Sequence, residues 1–240
     1  MRRPWSDVAI QESGEPLESI RGLILWLEPH PYAQLGAPYG QGDPFRVRSS
    51  VLSRLAQAQN HLTQHPDSQI GSIQLLVFDA WRPVSVQAFM VDHAVREDCG
   101  RRGREPTMPQ WTRALEDVRR DVGRFWAPPS DNPRTPPPHS TGGAIDLTLA
   151  DACGAPLSMG GEIDAIGPES LPDHHAASAK INPESLEALW HHRRCQLQAA
   201  MEHAGFVRHP NEWWHFSYGD QLWAWKAEAS MAIYGRVDNN

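Results

Sequence analysis

The chain has 240 residues, enough for one large domain or two small ones and for a sizeable core. Lys and Arg total 22 against 29 Asp and Glu, a formal charge of −7, which argues against a nucleic-acid backbone as the main partner because such binders present a basic face. Mean hydropathy is −0.53, and the longest clean apolar run, Leu23 to Leu27, is far shorter than the ~20 residues of a membrane span. The start is basic, but no apolar stretch follows it; no secretory signal and a cytoplasmic location are expected. Cys99, Cys153 and Cys195 form no C-x-x-C pair, so any bound metal must be held by His and carboxylates.

Residues 1–48 are rich in Pro and Gly, with a short strand expected at Gly22–Leu27. Ser49 or Ser50 is expected to cap a helix to about Gln64, with Val51, Leu52, Leu55, Ala58 and Leu62 inward. Ile73–Phe78 predicts a buried strand, and Pro83 and Val84 open a helix to about Asp98 with Val86, Phe89, Met90 and Ala94 inward. Segment 99–138 is an elaboration: a charged helix near Pro109–Trp126, then a Pro-rich run. Ala144–Leu149 is a further strand, and 150–182 a long loop. An amphipathic helix is expected from Pro183 to about Ala204, ended by Gly205. Phe206–Arg208 and Trp213–Tyr218 read as strands joined by a His209-Pro210-Asn211 turn, and Asp220–Ile233 as a final helix. Helices and strands without a βαβ rhythm indicate a single α+β domain with an antiparallel sheet flanked by helices.

Three stretches carry chemistry: Asp79-Ala80-Trp81-Arg82-Pro83, His139 to Leu147, and Glu212-Trp213-Trp214-His215-Phe216. Gly142 and Gly143 let the chain double back between His139 and Asp146, so both side chains can face one point. With His215 they offer three ligands and leave one position open, the pattern of a catalytic zinc site. Glu212 precedes His215 by three residues; on a strand that odd spacing would send the two to opposite faces, whereas in the turn after Asn211 Glu212 can fold back toward the site as a general base. Arg82, at a strand–helix junction, can face a developing oxyanion or bridge to Asp79.

These three stretches together, in order and spacing, resemble the D-alanyl-D-alanine dipeptidases, the vancomycin-resistance-type branch of zinc peptidase family M15. Met159-Gly160-x-x-Ile163-Asp164 and His174-His175-Ala176-Ala177 share the resemblance, which covers about residues 20–218. It implies a Hedgehog/D,D-peptidase-like fold and one Zn2+ per chain on His139, Asp146 and His215. It further implies Glu212 as base, Arg82 steadying the tetrahedral intermediate, and Asp164 binding the substrate's free amine. Tyr32, followed by Ala33, resembles a substrate-contacting tyrosine. The implied partner is a small D-amino-acid dipeptide, D-Ala-D-Ala first, with no nucleic acid and no membrane.

Two departures fall in substrate-binding territory. Pro137 stands where the family has an amine-binding serine, and Gln34-Leu35-Gly36-Ala37-Pro38 replaces a polar run. Zinc D,D- or L,D-carboxypeptidase action on longer peptidoglycan stems therefore stays open, as does a non-catalytic zinc- or wall-binding domain. His174 and His175 read as loop packing, and His191 and His192 as solvated helix face. Residues 101–104 read as a solvated basic loop.

Overall fold

The computed structural model describes residues 3–67, 71–103 and 113–238. The strands are β1 (Leu17–Ser19), β2 (Leu25–Trp26), β3 (Arg46–Arg48), β4 (Gln74–Asp79), β5 (Ala144–Ala150), β6 (Val207–Arg208) and β7 (His215–Ser217). The helices are α1 (Pro31–Gln34), α2 (Ser49–Gln64), α3 (Val84–Arg101), α4 (Arg113–Phe125), α5 (Ala176–Ile181), α6 (Leu186–His203) and α7 (Gln221–Lys226). The central sheet runs β2-β4-β5-β7-β6, and β1 and β3 pair apart from it. It is antiparallel except at one edge, where β2 runs parallel to β4.

Alternation along the strands divides the sheet's faces. Leu75 and Val77 of β4, Ile145, Leu147 and Leu149 of β5 and Phe216 of β7 join one core with α2 and α6. There α2 buries Val51, Leu52, Leu55, Ala58 and Leu62, the stripe its spacing predicts. Each such Val or Leu side chain, fully buried, contributes about 1.5–3 kcal/mol. The start of α2 is not capped by Ser49 or Ser50; Glu15 Oε2 instead accepts from the Ser50 N–H at 2.9 Å. A second core gathers Tyr32, Tyr39, Val86, Met90, Val118, Val122 and Trp126 around α3 and α4.

Several elements differ from the sequence reading. Only Gln221–Lys226 of the expected final helix is helical, and residues 150–182 contain α5 and a 3-10 turn at Pro168–Ser170. The helix expected from Pro183 begins only at Leu186, capped by Ser185, and Leu186 is exposed. Part of the Pro109–Trp126 helix and Arg104 of the basic loop lie outside the described residues. Arg101 and Arg102 pair with Asp98, and Arg102 also with Asp121. Buried His175 packs on Trp190 and bonds the Gly160 carbonyl. No helix is long and apolar enough to cross a membrane, among the described residues.

Candidate active site

The face of the sheet opposite the α2–α6 core carries the polar residues. In register, Asp79 of β4 pairs with Asp146 of β5, and Asp146 with His215 of β7. Directly opposed residues share a face, so three ionisable side chains form a row across the sheet. A bulge between Val77 and Asp79 brings Asp79 into that row. His139 arrives from the 3-10 turn Pro138–Thr141, which Gly142 ends at φ +71°. A Cβ on Gly142 would strike the Leu17 side chain, and one on Gly143 would lie 2.5 Å from the Tyr218 carbonyl. Both glycines are needed for the chain to double back so tightly.

His139, Asp146 and His215 are buried, and their ligand atoms converge. His139 Nε2 lies 3.2 Å from His215 Nδ1 and 3.2 Å from Asp146 Oδ2, and His215 Nδ1 lies 3.0 Å from Asp146 Oδ1. Ligands ~2.0–2.1 Å from a tetrahedral ion stand about 3.3 Å apart, so this triangle fits one metal ion. Outer partners fix both tautomers. His139 Nδ1 donates to the Ala80 carbonyl at 2.7 Å, which leaves Nε2 with its lone pair. His215 Nε2 donates to Ser217 Oγ at 3.3 Å, and Ser217 Oγ donates to Asp220 Oδ2 at 2.8 Å. Burial alone would raise the Asp146 carboxyl, but the adjacent His139 and His215 hold it well below its ordinary range.

Glu212 lies in the turn before β7, with Oε2 3.7 Å from His215 Nδ1. Its Oε1 is buried without a hydrogen-bond partner among the described residues. His209 Nδ1 is 3.3 Å away but already accepts from the Asn211 N–H, so the two face each other as acceptors. Burial first, then the Asp146 charge, pushes the Glu212 carboxyl well up. Burial, then His215 and Arg3, holds His209 well down, so its imidazole is neutral.

Arg82 occupies the expected junction and makes the bridge to Asp79. Nε and Nη2 donate to Asp79 Oδ2 at 3.0 and 2.7 Å, and Nη1 to Gln87 at 2.9 Å. Nη2 also reaches Tyr32 Oη and Asp146 Oδ2, each at 3.3 Å. Asp79 receives His30 Nε2 and Tyr39 Oη at 3.0 Å as well, so its charge is well compensated. Burial opposes ionisation of Asp79, but Arg82, His30 and His139 keep its carboxyl low.

Asp164 sits in the left-handed region at φ +63°, strained for a residue other than Gly, as functional positions often are. Tyr32 Oη donates to its Oδ2 at 2.6 Å. Burial, then Asp146, raises the Asp164 carboxyl to about 7. A cavity of about 490 Å3 is lined by all the foregoing sequence-predicted residues except Tyr32, which stands behind Asp164. Pro136, Pro137 and Pro138 line it too, so the Pro137 departure does face the cavity.

A family model described as Peptidase M15, D-ala-D-ala dipeptidase, matches residues 26–232. The chain belongs to this family. It is 43% identical to a D-alanyl-D-alanine dipeptidase of Synechocystis sp., over 98% of this chain and 97% of the relative. A D-alanyl-D-alanine dipeptidase of Escherichia coli is 32% identical over 62% of this chain and 57% of its own length. One of Enterococcus faecalis is 38% identical over 35% and 37%. As an M15 peptidase the chain is a metallopeptidase enzyme of α+β fold.

Several residues of the candidate site escaped the sequence reading. Asp79 was legible only as a partner for Arg82, although it lies within the same five-residue stretch. Ser217 and Asp220 follow His215 closely, yet nothing in their spacing announces a relay to its outer nitrogen. His30 and His209 lie among twelve histidines with no pattern to separate them. Arg3 and Trp5, from the chain's beginning, also line the cavity.

Proposed function

We propose that this chain hydrolyses the peptide bond of a short D-amino-acid dipeptide, D-Ala-D-Ala first, with one zinc ion held by His139, Asp146 and His215. The observation that carries the reading is the convergence of those three donors beside the unpartnered Glu212 oxygen, in a cavity that also receives Asp164. The names of the relatives support the substrate. Two imidazoles and a carboxylate with one side open are a donor set for catalytic zinc, which supplies Lewis acidity and an acidified water.

The chain's own groups then divide the work. Glu212 takes the proton of the attacking water on its free Oε1 and hands it to the leaving amine nitrogen. Its buried setting raises its proton affinity, which suits a group that must take a proton from water. Arg82 is clamped by Asp79 and Gln87 and keeps one Nη1 proton uncommitted; it faces the carbonyl oxygen as negative charge develops there. Asp164, steadied by Tyr32, binds the free ammonium end.

The test is a panel with zinc present: free D-Ala-D-Ala, its N-acetyl form, and the L,D and L,L dipeptides. The account expects the free D,D compound to be cleaved and the N-acetyl compound to be a poor substrate, because acylation removes the charge Asp164 binds. Comparable cleavage of the N-acetyl compound would overturn the dipeptidase assignment. It would favour a carboxypeptidase acting on longer stems, a reading kept open by Pro137 and by the size of the cavity.

A further inference from the structure

If the chain is a dipeptidase, as proposed above, its substrate is a zwitterion, and a site that selects it must meet a cation at one end and an anion at the other. Asp164 answers the ammonium end. Among the described residues two arginines line the cavity, Arg3 and Arg82. Arg82 is already matched by Asp79 and lies 3.3 Å from Asp146. Arg3 is not matched: its partners among the described residues are the backbone carbonyls of Gly123, Arg124 and Trp126 at the end of α4, at 3.1–3.3 Å.

A guanidinium carries five N–H bonds in a fixed fork. Three of those of Arg3 go to these carbonyls, which leaves Nε–H and one Nη1–H for a ligand. The segment that delivers Arg3 is well anchored. Residues Pro4–Asp7 form a 3-10 turn, and Trp5 is buried against His209 and Trp225 at 5.6 and 5.5 Å between rings. Gln221 Nε2 donates to the Val8 carbonyl at 2.6 Å. Arg3 itself lies 5.7 Å from the centre of the Trp5 ring.

Asp164 is held at one end of the cavity by Tyr32. The Arg3 segment enters at a second end, beside Glu212: Trp5 packs on His209, whose Nδ1 stands 3.3 Å from Glu212 Oε1. Chemistry places the substrate's anion at that second end. Glu212 delivers its proton to the leaving amine nitrogen, and the dipeptide's carboxylate carbon is only two bonds beyond that nitrogen. We propose that Arg3 is a specificity-determining residue that binds the C-terminal carboxylate of the dipeptide, opposite the ammonium held by Asp164.

The test compares free D-Ala-D-Ala with its C-terminal amide on the zinc-loaded enzyme, for wild type, Arg3→Gln and Arg3→Lys. Glutamine keeps a donor for the α4 carbonyls and removes the charge. A charge-assisted hydrogen bond is worth enough to change binding by roughly tenfold to a hundredfold. The expected wild-type preference for acid over amide is therefore at least about tenfold in kcat/KM. Arg3→Gln should bring that ratio close to one through a raised KM for the acid, and Arg3→Lys should keep part of it. Equal loss on acid and amide in Arg3→Gln, with the ratio preserved, would show a merely structural role and overturn the proposal. A wild type that cleaves acid and amide alike would also overturn it while leaving the dipeptidase reading standing. No cleavage of the free dipeptide by wild type would overturn both.

Discussion

Replacing Glu212 by Gln is nearly isosteric and removes one charge from the centre of the site. In the proposed role of general base, Glu212 should contribute about 10²–10⁴ to the rate, or roughly 3–5 kcal/mol of barrier. The variant should lose that factor in kcat while keeping its zinc, because Glu212 is not among the three converging donors. Its metal-free stability gives an independent reading. Burial raises the Glu212 carboxyl well above its ordinary value. A group raised in the folded state lends its stability below the unfolded pKa of ~4.3 and loses it as pH climbs through the folded value. Wild type therefore carries a cost that grows as pH rises above ~4.3, which the Glu212→Gln variant does not. The new amide can also donate to His209 Nδ1, which stands 3.3 Å from the present Oε1. We expect the variant to be more stable by about 1–2 kcal/mol near pH 8, roughly 2–8 °C in Tm, with the gap closing near pH 4. Thermal melts of metal-free protein across that range, with kcat on the zinc-loaded form, make the comparison. Retained turnover, or a stability gap indifferent to pH, would refute the assignment.

The same geometry makes further predictions. Asp220→Asn weakens the hold on Ser217 and so on the outer nitrogen of His215; zinc affinity should fall about 10- to 100-fold in competition with a chelator. Asp164→Asn should raise KM for the free dipeptide by about tenfold or more. In wild type the same kcat/KM should fall as acid neutralises the Asp164 carboxyl, which burial and then Asp146 raise to about 7. A cation beside Asp146 moves that inflection lower, and the Asn variant should lack it. Gly142→Ala forces a side chain into the left-handed region and against Leu17; Tm should drop by at least about 5 °C.

The parts of the site that the sequence made legible are those where local chain geometry places the side chain. Asp146 and His215 sit on short strands whose alternation sends them to one face, and two glycines bring His139 back beside them. Glu212 falls in the turn for a similar reason: the strand starts only at His215, so odd spacing along a strand does not govern it. What was hidden depends on residues far apart in the chain. Arg3 reaches α4 about 120 positions away, and Tyr32 meets Asp164 at a separation of 132. Tyr32 reads in the motif as a substrate contact, yet the packing sets it behind Asp164 and out of the cavity lining. The single parallel strand pair is hidden for the same reason, since β2 meets β4 only after the chain has passed through α1, β3 and α2. The short α7 has a local cause: Asp220 caps its start, and the backbone reaches φ +53° at Glu228, just beyond its end.

Titration of metal-free protein with zinc, following D-Ala-D-Ala hydrolysis, tests the central claim most directly. The account predicts negligible turnover without metal and a rate that climbs to a sharp break at one zinc per chain, with no such break in His215→Ala. Full turnover without zinc, or a break at one equivalent that survives in His215→Ala, would contradict it.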